Sequence, residues 1–210
     1  MGRADKLKPA RHDAPLPLDR SELPIDTASL ARYLIGNVLV RELPEGIASG
    51  RIVETEAYGV GDAAGHAYRG LTPRNRSLFL ERGYAYVYLA YGTSYMLNVA
   101  SETPGIGAGV LIRALEPLEG IAIMLLARRI ERMRDLARGP GRLAAALRID
   151  STLDGLDLCR QGPLWLARGD DEPGEIGQST RIGISRDTHR RLRFYLRNCP
   201  FVSGPRSLNG

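Results

Sequence analysis

The sequence predicts one α+β domain, a mostly antiparallel sheet with surrounding helices and a protruding β-hairpin. Three observations carry that expectation. Runs with a period of two recur along the chain between Gly, Pro and Asn turn signals. Helical periodicity is confined to a few stretches. Between residues 23 and 203 no repeat or low-complexity linker divides the chain, and its 210 residues suffice for one core of ordinary size.

Residues 1–22 are polar and carry Pro9, Pro15 and Pro17, the composition of a mobile tail ahead of a domain spanning 23–210. Asp26 is placed to cap a short helix carrying Leu30, Ala31 and Leu34, with Gly36 closing it. Asn37–Leu43 and Arg51–Tyr58 read as strands joined by the turn-like stretch Pro44–Gly50. Asp62–Gly70 is a small-residue loop containing His66. Thr72-Pro73 has the form of a helix start, an N-cap hydroxyl followed by Pro at the first helical position. The first turn of that helix would carry Arg74, Asn75 and Arg76, either as a phosphate seat or as a solvated helix end.

Tyr84–Ala90 alternates as a strand, Tyr91-Gly92-Thr93-Ser94 forms a tight turn, and Tyr95–Ala100 returns as the second strand of a hairpin. Gly109–Leu115 is an apolar strand interrupted by Arg113. Ile121–Ala137 has helical periodicity with an arginine-rich outer face, ended by Gly139-Pro140-Gly141, and a shorter helix follows near Leu143–Leu147. Arg181–Ile184 and Leu192–Leu196 read as the remaining strands.

A net charge of +5 and a pI near 9.5 favour a polyanionic partner. Cys159 and Cys199 fit no metal-binding spacing and suggest buried free thiols in a reducing cytoplasm, nucleoid-associated in a bacterium. His12, His66 and His189 form no ligand cluster, so no zinc or other metal site is expected. No apolar run of membrane-spanning length and no signal-peptide core is evident. Lys6 and Lys8 are the only lysines.

The chemistry gathers in two anomalies and one cluster. In RIVETEAY, alternation groups Ile52, Glu54, Glu56 and Tyr58 on one face and Val53, Thr55 and Ala57 on the other. Glutamate is disfavoured in strands, and two on one face repel. They are either a solvent-facing pair bound to arginines or part of a site. Arg113, set among Val110, Leu111, Ile112 and Leu115, presents the complementary problem. A guanidinium in a strand buried on both faces needs an acceptor, and a glutamate on a neighbouring strand is the natural one. Tyrosine supplies nine of the thirteen aromatic residues, and five fall within residues 84–95. Phenol faces accept stacked bases, although a ladder packed on a sheet would also use them. Tyr91 fits the ladder worst, because a hairpin tip has no core to fill.

The segments GRIVETEAY, GHAYRG, TPRNR, YAYVYLAYG, Asn98 and LIRALEP, followed by GPGRLAAAL, LWL at Leu164–Leu166, RIGI at Arg181–Ile184 and LRFY, resemble the alkyladenine (3-methyladenine) DNA glycosylase family in order and spacing. The match spans about residues 23 to 203, and several motifs in register are more specific than any one alone.

The resemblance implies a glycosylase that flips alkylated or deaminated purines out of double-stranded DNA and hydrolyses the N-glycosidic bond in base excision repair. With no lysine beyond Lys8 to attack the sugar, it is expected to be monofunctional. It would act as a monomer, without cofactor or membrane. By position, Glu56 matches the general base, while Arg113 and the Ile182 main-chain carbonyl match groups that hold the attacking water. Tyr58, His66 and Tyr88 match the base sandwich, Asn98 the residue that excludes guanine, and Tyr91 the residue that fills the vacated stack. Thr93, Ser94 and Leu78 depart from the family pattern at positions that resemble minor-groove contacts. Two other readings use the same residues. A non-catalytic nucleic-acid module could stack on the tyrosines, and an interaction protein could present the basic face near Arg128–Arg138.

Overall fold

A computed structural model describes residues 15–169 and 172–205. Its strands are β1 (Val38–Leu43), β2 (Gly46–Tyr58), β3 (Ala85–Ala90), β4 (Ser94–Ala100), β5 (Gly109–Glu119), β6 (Leu164–Ala167), β7 (Ile176–Ser179) and β8 (Arg193–Leu196). All belong to one antiparallel sheet in the order β3-β4-β5-β2-β1-β6, with β8 added to β2 and β7 to β8. The helices α1 (Thr27–Tyr33), α2 (Ile121–Arg128) and α3 (Pro140–Ala146) complete the α+β fold that the sequence predicts. α1 packs on β2 and β5, whereas α2 and α3 pack together and α3 covers β4 and β5.

The strand that organises the molecule is β2. Its first half pairs with β1, but β1 begins opposite Arg51, and the vacated edge is taken by β8 opposite Glu54, Thr55 and Glu56. Its other edge pairs with β5 as far as Tyr58. The glutamate-bearing half is therefore flanked on both sides, which leaves no solvent-facing strand for the carboxylates.

The β2–β5 register skips Val53 on one strand and Arg113 on the other. Paired bulges of this kind re-aim side chains locally. The expected alternation is thereby interrupted between Ile52 and Glu54, so that Ile52 and Val53 both enter the apolar core. Arg113, unpaired in the ladder, turns toward the two glutamates.

Several expected elements differ. Residues 1–14 of the anticipated tail lie outside the described residues, but from Pro15 onward the chain is docked. Trp165 Nε1 donates to Pro15 O at 2.8 Å, and Leu18 is buried with its N–H on Leu166 O. Burial of Leu18 and Leu23 outweighs the polar composition around them. β2 begins at Gly46 rather than Arg51, because residues 46–50 continue the ladder with β1 and leave only Pro44 and Glu45 for the turn.

No α-helix starts at Thr72-Pro73; a short 3₁₀ turn, Arg76–Phe79, follows instead. The Asn75 carboxamide accepts from Thr72 N–H and Oγ1 and donates to the carbonyls of His66 and Gly70, which holds the segment as a loop.

The helix expected over 121–137 ends at Arg128. Arg129 takes a left-handed backbone, φ 52°, and the chain turns so that Leu136 and Ala137 pack on the sheet. α3 starts earlier than expected, at Pro140. Residues 181–184 form a loop rather than a strand, since Gly183 has φ +76°, outside the extended region. Among the described residues no helix is long and apolar enough to cross a membrane.

Candidate active site

Two carboxylates and two guanidinium groups meet where β2, β5 and β8 join, and the side chains of Glu54, Glu56 and Arg193 are wholly buried. Glu54 accepts from Arg113 Nε at 2.8 Å, from Arg193 Nε at 2.7 Å, and from the N–H and Oγ of Ser203 at 2.7 and 2.9 Å. Glu56 accepts from Arg113 Nη1 at 3.1 Å, from the Tyr58 hydroxyl at 2.8 Å and from the Ile182 N–H at 2.7 Å. Arg113 thus bridges both glutamates, and its acceptor is the neighbouring strand that the sequence points to.

The two carboxylates have diverging acidities. Burial opposes the charge on both, but the guanidinium groups of Arg113 and Arg193 together with Ser203 hold Glu54 below its ordinary value of 4.5. Glu56 has fewer compensating donors; desolvation dominates and raises it above 4.5, helped by the nearby Glu54 charge. Pairs of acids whose environments push them apart often divide roles in a reaction. The same charges act on the donor: burial first, then Glu56, pushes the Tyr58 phenol far above its ordinary value, so it stays protonated and donates.

A cavity of about 910 Å³ opens beside this cluster. All three partners of Glu56, namely Tyr58, Arg113 and Ile182, line it, as do His66, Tyr88, Asn98, Tyr91 and Arg74. Glu56 sits directly behind that wall. The His66 and Tyr88 ring centroids lie 4.3 Å apart, edge to face, and Tyr88 stacks on Tyr86 at 5.3 Å. His66 Nδ1 lies 2.9 Å from the Tyr86 hydroxyl, and burial with the Arg74 charge holds the imidazole below its ordinary value, hence neutral at pH 7. Asn98 pairs with Tyr86 across β3–β4, and its Nδ2 donates to Tyr86 O at 3.3 Å.

The rim is formed by the β3–β4 hairpin. Tyr91 and Gly92 both have positive φ, 52° and 69°, as a type I′ turn requires, and Thr93 N–H returns to Ala90 O. A left-handed backbone is costly for tyrosine. Nevertheless Tyr91 holds it as a residue 86% exposed. Arg74 reaches Leu89 O at 3.3 Å, next to the tip of this hairpin. Arg76 is exposed at the start of the 3₁₀ turn and is not among the lining residues. The backbone N–H groups of a helix start, one half of the anticipated phosphate seat, are missing because that helix does not form. Leu78 is buried at the cavity wall beside Gly109, so it is a packing residue rather than an exposed groove contact.

Of the sequence-derived residues, all except Arg76 converge on this cavity or on Glu56 behind it. Ile182 reaches Glu56 through its N–H, a different group from the carbonyl that the resemblance implied. Sequence reasoning missed Arg193, Tyr86, Asp62 and Arg181. Arg193 carries the same signal as Arg113, an arginine within an apolar strand. Asp62 opens a small-residue loop and Arg181 stands at the start of a stretch expected as a strand, and neither position carries such a signal. Cys159 and Cys199 are free and half-buried, and burial pushes the Cys159 thiol up to about 11. Among the described residues no group of three or more His, Cys, Asp or Glu could hold a metal ion.

Comparison with known proteins places this chain in a family. The chain is 73% identical over 208 residues to a Mesorhizobium japonicum protein, covering 99% of each, and 53% identical over 201 residues to one from Paraburkholderia phytofirmans, covering 94% and 93%. Both carry the provisional name 3-methyladenine DNA glycosylase. It is also 44% identical over 191 residues to the human DNA-3-methyladenine glycosylase, covering 83% of this chain and 63% of the human one. The family model described as methylpurine-DNA glycosylase (MPG) matches residues 21–200, nearly the whole described domain, and the chain belongs to that family.

Proposed function

We propose that this chain, as a monomer on duplex DNA, flips an alkylated or deaminated purine into the tyrosine-lined cavity and hydrolyses its N-glycosidic bond with a water activated by Glu56. Family membership makes it a DNA glycosylase of base excision repair, a hydrolase of N-glycosyl bonds acting on DNA. The observation that carries the finer reading is Glu56 itself, a buried carboxylate whose three hydrogen-bond partners all line one cavity. A carboxylate oxygen has two lone pairs, so Oε1, which accepts from Ile182, can accept from a water as well. Ionised Glu56 would take a proton from that water and stabilise the oxocarbenium character of the departing sugar.

In this reading Tyr58 stacks on one face of the base and the His66–Tyr88 pair on the other. A neutral imidazole leaves the slot free of a cation that would repel a positively charged, alkylated ring. Arg74 and the basic surface grip the phosphates, with Arg76 an outer contact.

Water is taken as the attacking group because the described residues hold no lysine and arginine stays protonated, so none of them offers a side-chain amine to attack the sugar. Excision assays on duplexes carrying hypoxanthine, ethenoadenine or 7-methylguanine test this directly. An abasic strand that breaks only in alkali is expected, with one protein per duplex. Borohydride during turnover should trap no adduct; a robust adduct that survives deletion of residues 1–14 would overturn the assignment.

Asn98 stands on the cavity wall, where a guanine 2-amino group would have to fit. Asn98→Ser should open the site to undamaged guanine, most readily in a mispair. No gain on guanine in any pairing would remove Asn98 as the gate.

Tyr91 has a separable cost and use. Tyr91→Gly relieves the left-handed strain and should stabilise the fold by about 1 kcal/mol. With nothing to fill the vacated stack, excision of well-paired lesions should fall more than that of mispaired ones. Equal losses on both substrates would contradict the role of the hairpin.

A further inference from the structure

We propose that Asp62 and Arg181 are positioning residues for this reaction, a buried ion pair behind the cavity wall that seats Tyr58 and Ile182 on the Glu56 carboxylate. The proposal rests on the reading of Glu56 as the base. Both side chains are fully buried. Arg181 Nη1 pairs with Asp62 Oδ2 and Nη2 donates to Oδ1 at 3.0 Å, a two-pronged grip. Nη1 also donates to Ala57 O at 2.9 Å, the β2 carbonyl between Glu56 and Tyr58. The guanidinium carbon lies 4.6 Å from the centre of the Tyr58 ring, while Arg181 itself is not among the residues lining the cavity.

One guanidinium therefore ties three segments together: β2, the loop carrying Asp62, and the loop carrying Ile182. Asp62 is itself anchored, since Oδ1 accepts from Ala64 N–H at 3.0 Å and Arg190 approaches Oδ2 at 3.6 Å. Arg181 covers the ring whose hydroxyl donates to Glu56, and its chain neighbour Ile182 supplies another of the donors. An ion pair serving stability alone could sit anywhere in the core. This one touches or adjoins two of the three groups that hydrogen-bond to Glu56.

The consequence is read in the acidity of Glu56. Hydrogen bonds to the ionised form favour it, so loosening Tyr58 and Ile182 makes the carboxyl bind a proton at higher pH. The other groups facing Glu56 are Arg113 from β5, Glu54 on β2, Arg193 opposite it on β8 and the Tyr88 phenol on β3, and they are retained in the variants.

The experiment is single-turnover excision of hypoxanthine against pH for the wild type, Asp62→Asn, Arg181→Lys and Glu56→Gln, with folding checked by circular dichroism. Both pair variants are expected to lose about tenfold or more in plateau rate, a part of the roughly hundredfold or more that a general base contributes. Their acid limb should rise by about half a pH unit or more. The effect of Asp62→Asn should largely vanish in a Tyr58→Phe background, as for residues acting through one another. Folded variants whose acid limb coincides with the wild type would overturn the proposal. Should either variant fail to fold, Asp62→Glu, which keeps the charge, takes its place under the same outcomes. Wild-type activity of Glu56→Gln would sink the reading of Glu56 as the base. An inactive Glu56→Gln beside unmoved acid limbs would sink only the positioning pair.

Discussion

Glu56→Gln should lower single-turnover excision by about a thousandfold or more, within the range of lost general-base catalysis. Affinity for a lesion duplex should change little. Glutamine keeps the shape and can still accept from Ile182, but it cannot take a proton from water. Its amide also turns NH₂ donors toward the Tyr58 hydroxyl and Arg113, which are donors themselves. Binding uses the rings of Tyr58, His66 and Tyr88, which the change leaves in place.

The wild-type pH profile follows from the same residue. Because desolvation raises Glu56 above 4.5, the working ionised form is lost as pH falls through that raised value, so the acid limb should lie above 4.5. Any residual rate in Glu56→Gln should lack that limb. Excision within tenfold of the wild type would remove Glu56 from the mechanism.

The second large effect is on the fold. Arg113→Met removes the cation between Glu54 and Glu56, and breaking a buried ion pair from one side costs about 3–5 kcal/mol. For a domain of this size that corresponds to roughly 2–4 °C in Tm per kcal/mol.

The loss should depend on pH. In the wild type Glu54 is held below 4.5 in the folded state, so its contribution is present above pH 4.5 and fades as pH falls through the depressed value. Without Arg113 that contribution weakens, and two adjacent buried charges repel. Urea denaturation should therefore show a larger difference between variant and wild type at pH 7 than at pH 4. A difference under about 1 kcal/mol at pH 7 would mean that Arg113 is not the hub of the cluster.

The residues most legible in the sequence were those that break a local rule. Two glutamates in a strand, an arginine in an apolar run and a tyrosine at a hairpin tip each carry a cost that calls for a partner, and the structure gives each its setting. Arg193 was legible by the same rule and went unread. Asp62 and Arg181 were not, because a charge opening a loop or a short strand is ordinary until its side chain is seen to be buried. The helix expected at Thr72-Pro73 failed for a related reason. Its cap signal was local, whereas Asn75 bonds to His66 and Gly70, contacts that depend on how the loop folds back.

By itself the sequence determined the class of the domain, the hairpin and the residue types of the site. Alternation, turn residues and misplaced charges are local properties, written within a few positions of one another. Only the tertiary structure decided which face each side chain takes and which acid does what. Bulges at Val53 and Arg113 interrupt the alternation, and β8 replaces β1 beside the second half of β2. That replacement brings Arg193 to Glu54, and the 180–184 loop brings Ile182 to Glu56. The difference in acidity between two glutamates two positions apart arises from those distant donors: burial penalises both charges, but Glu54 has two guanidinium groups against it, whereas Glu56 has one and also faces the Glu54 charge.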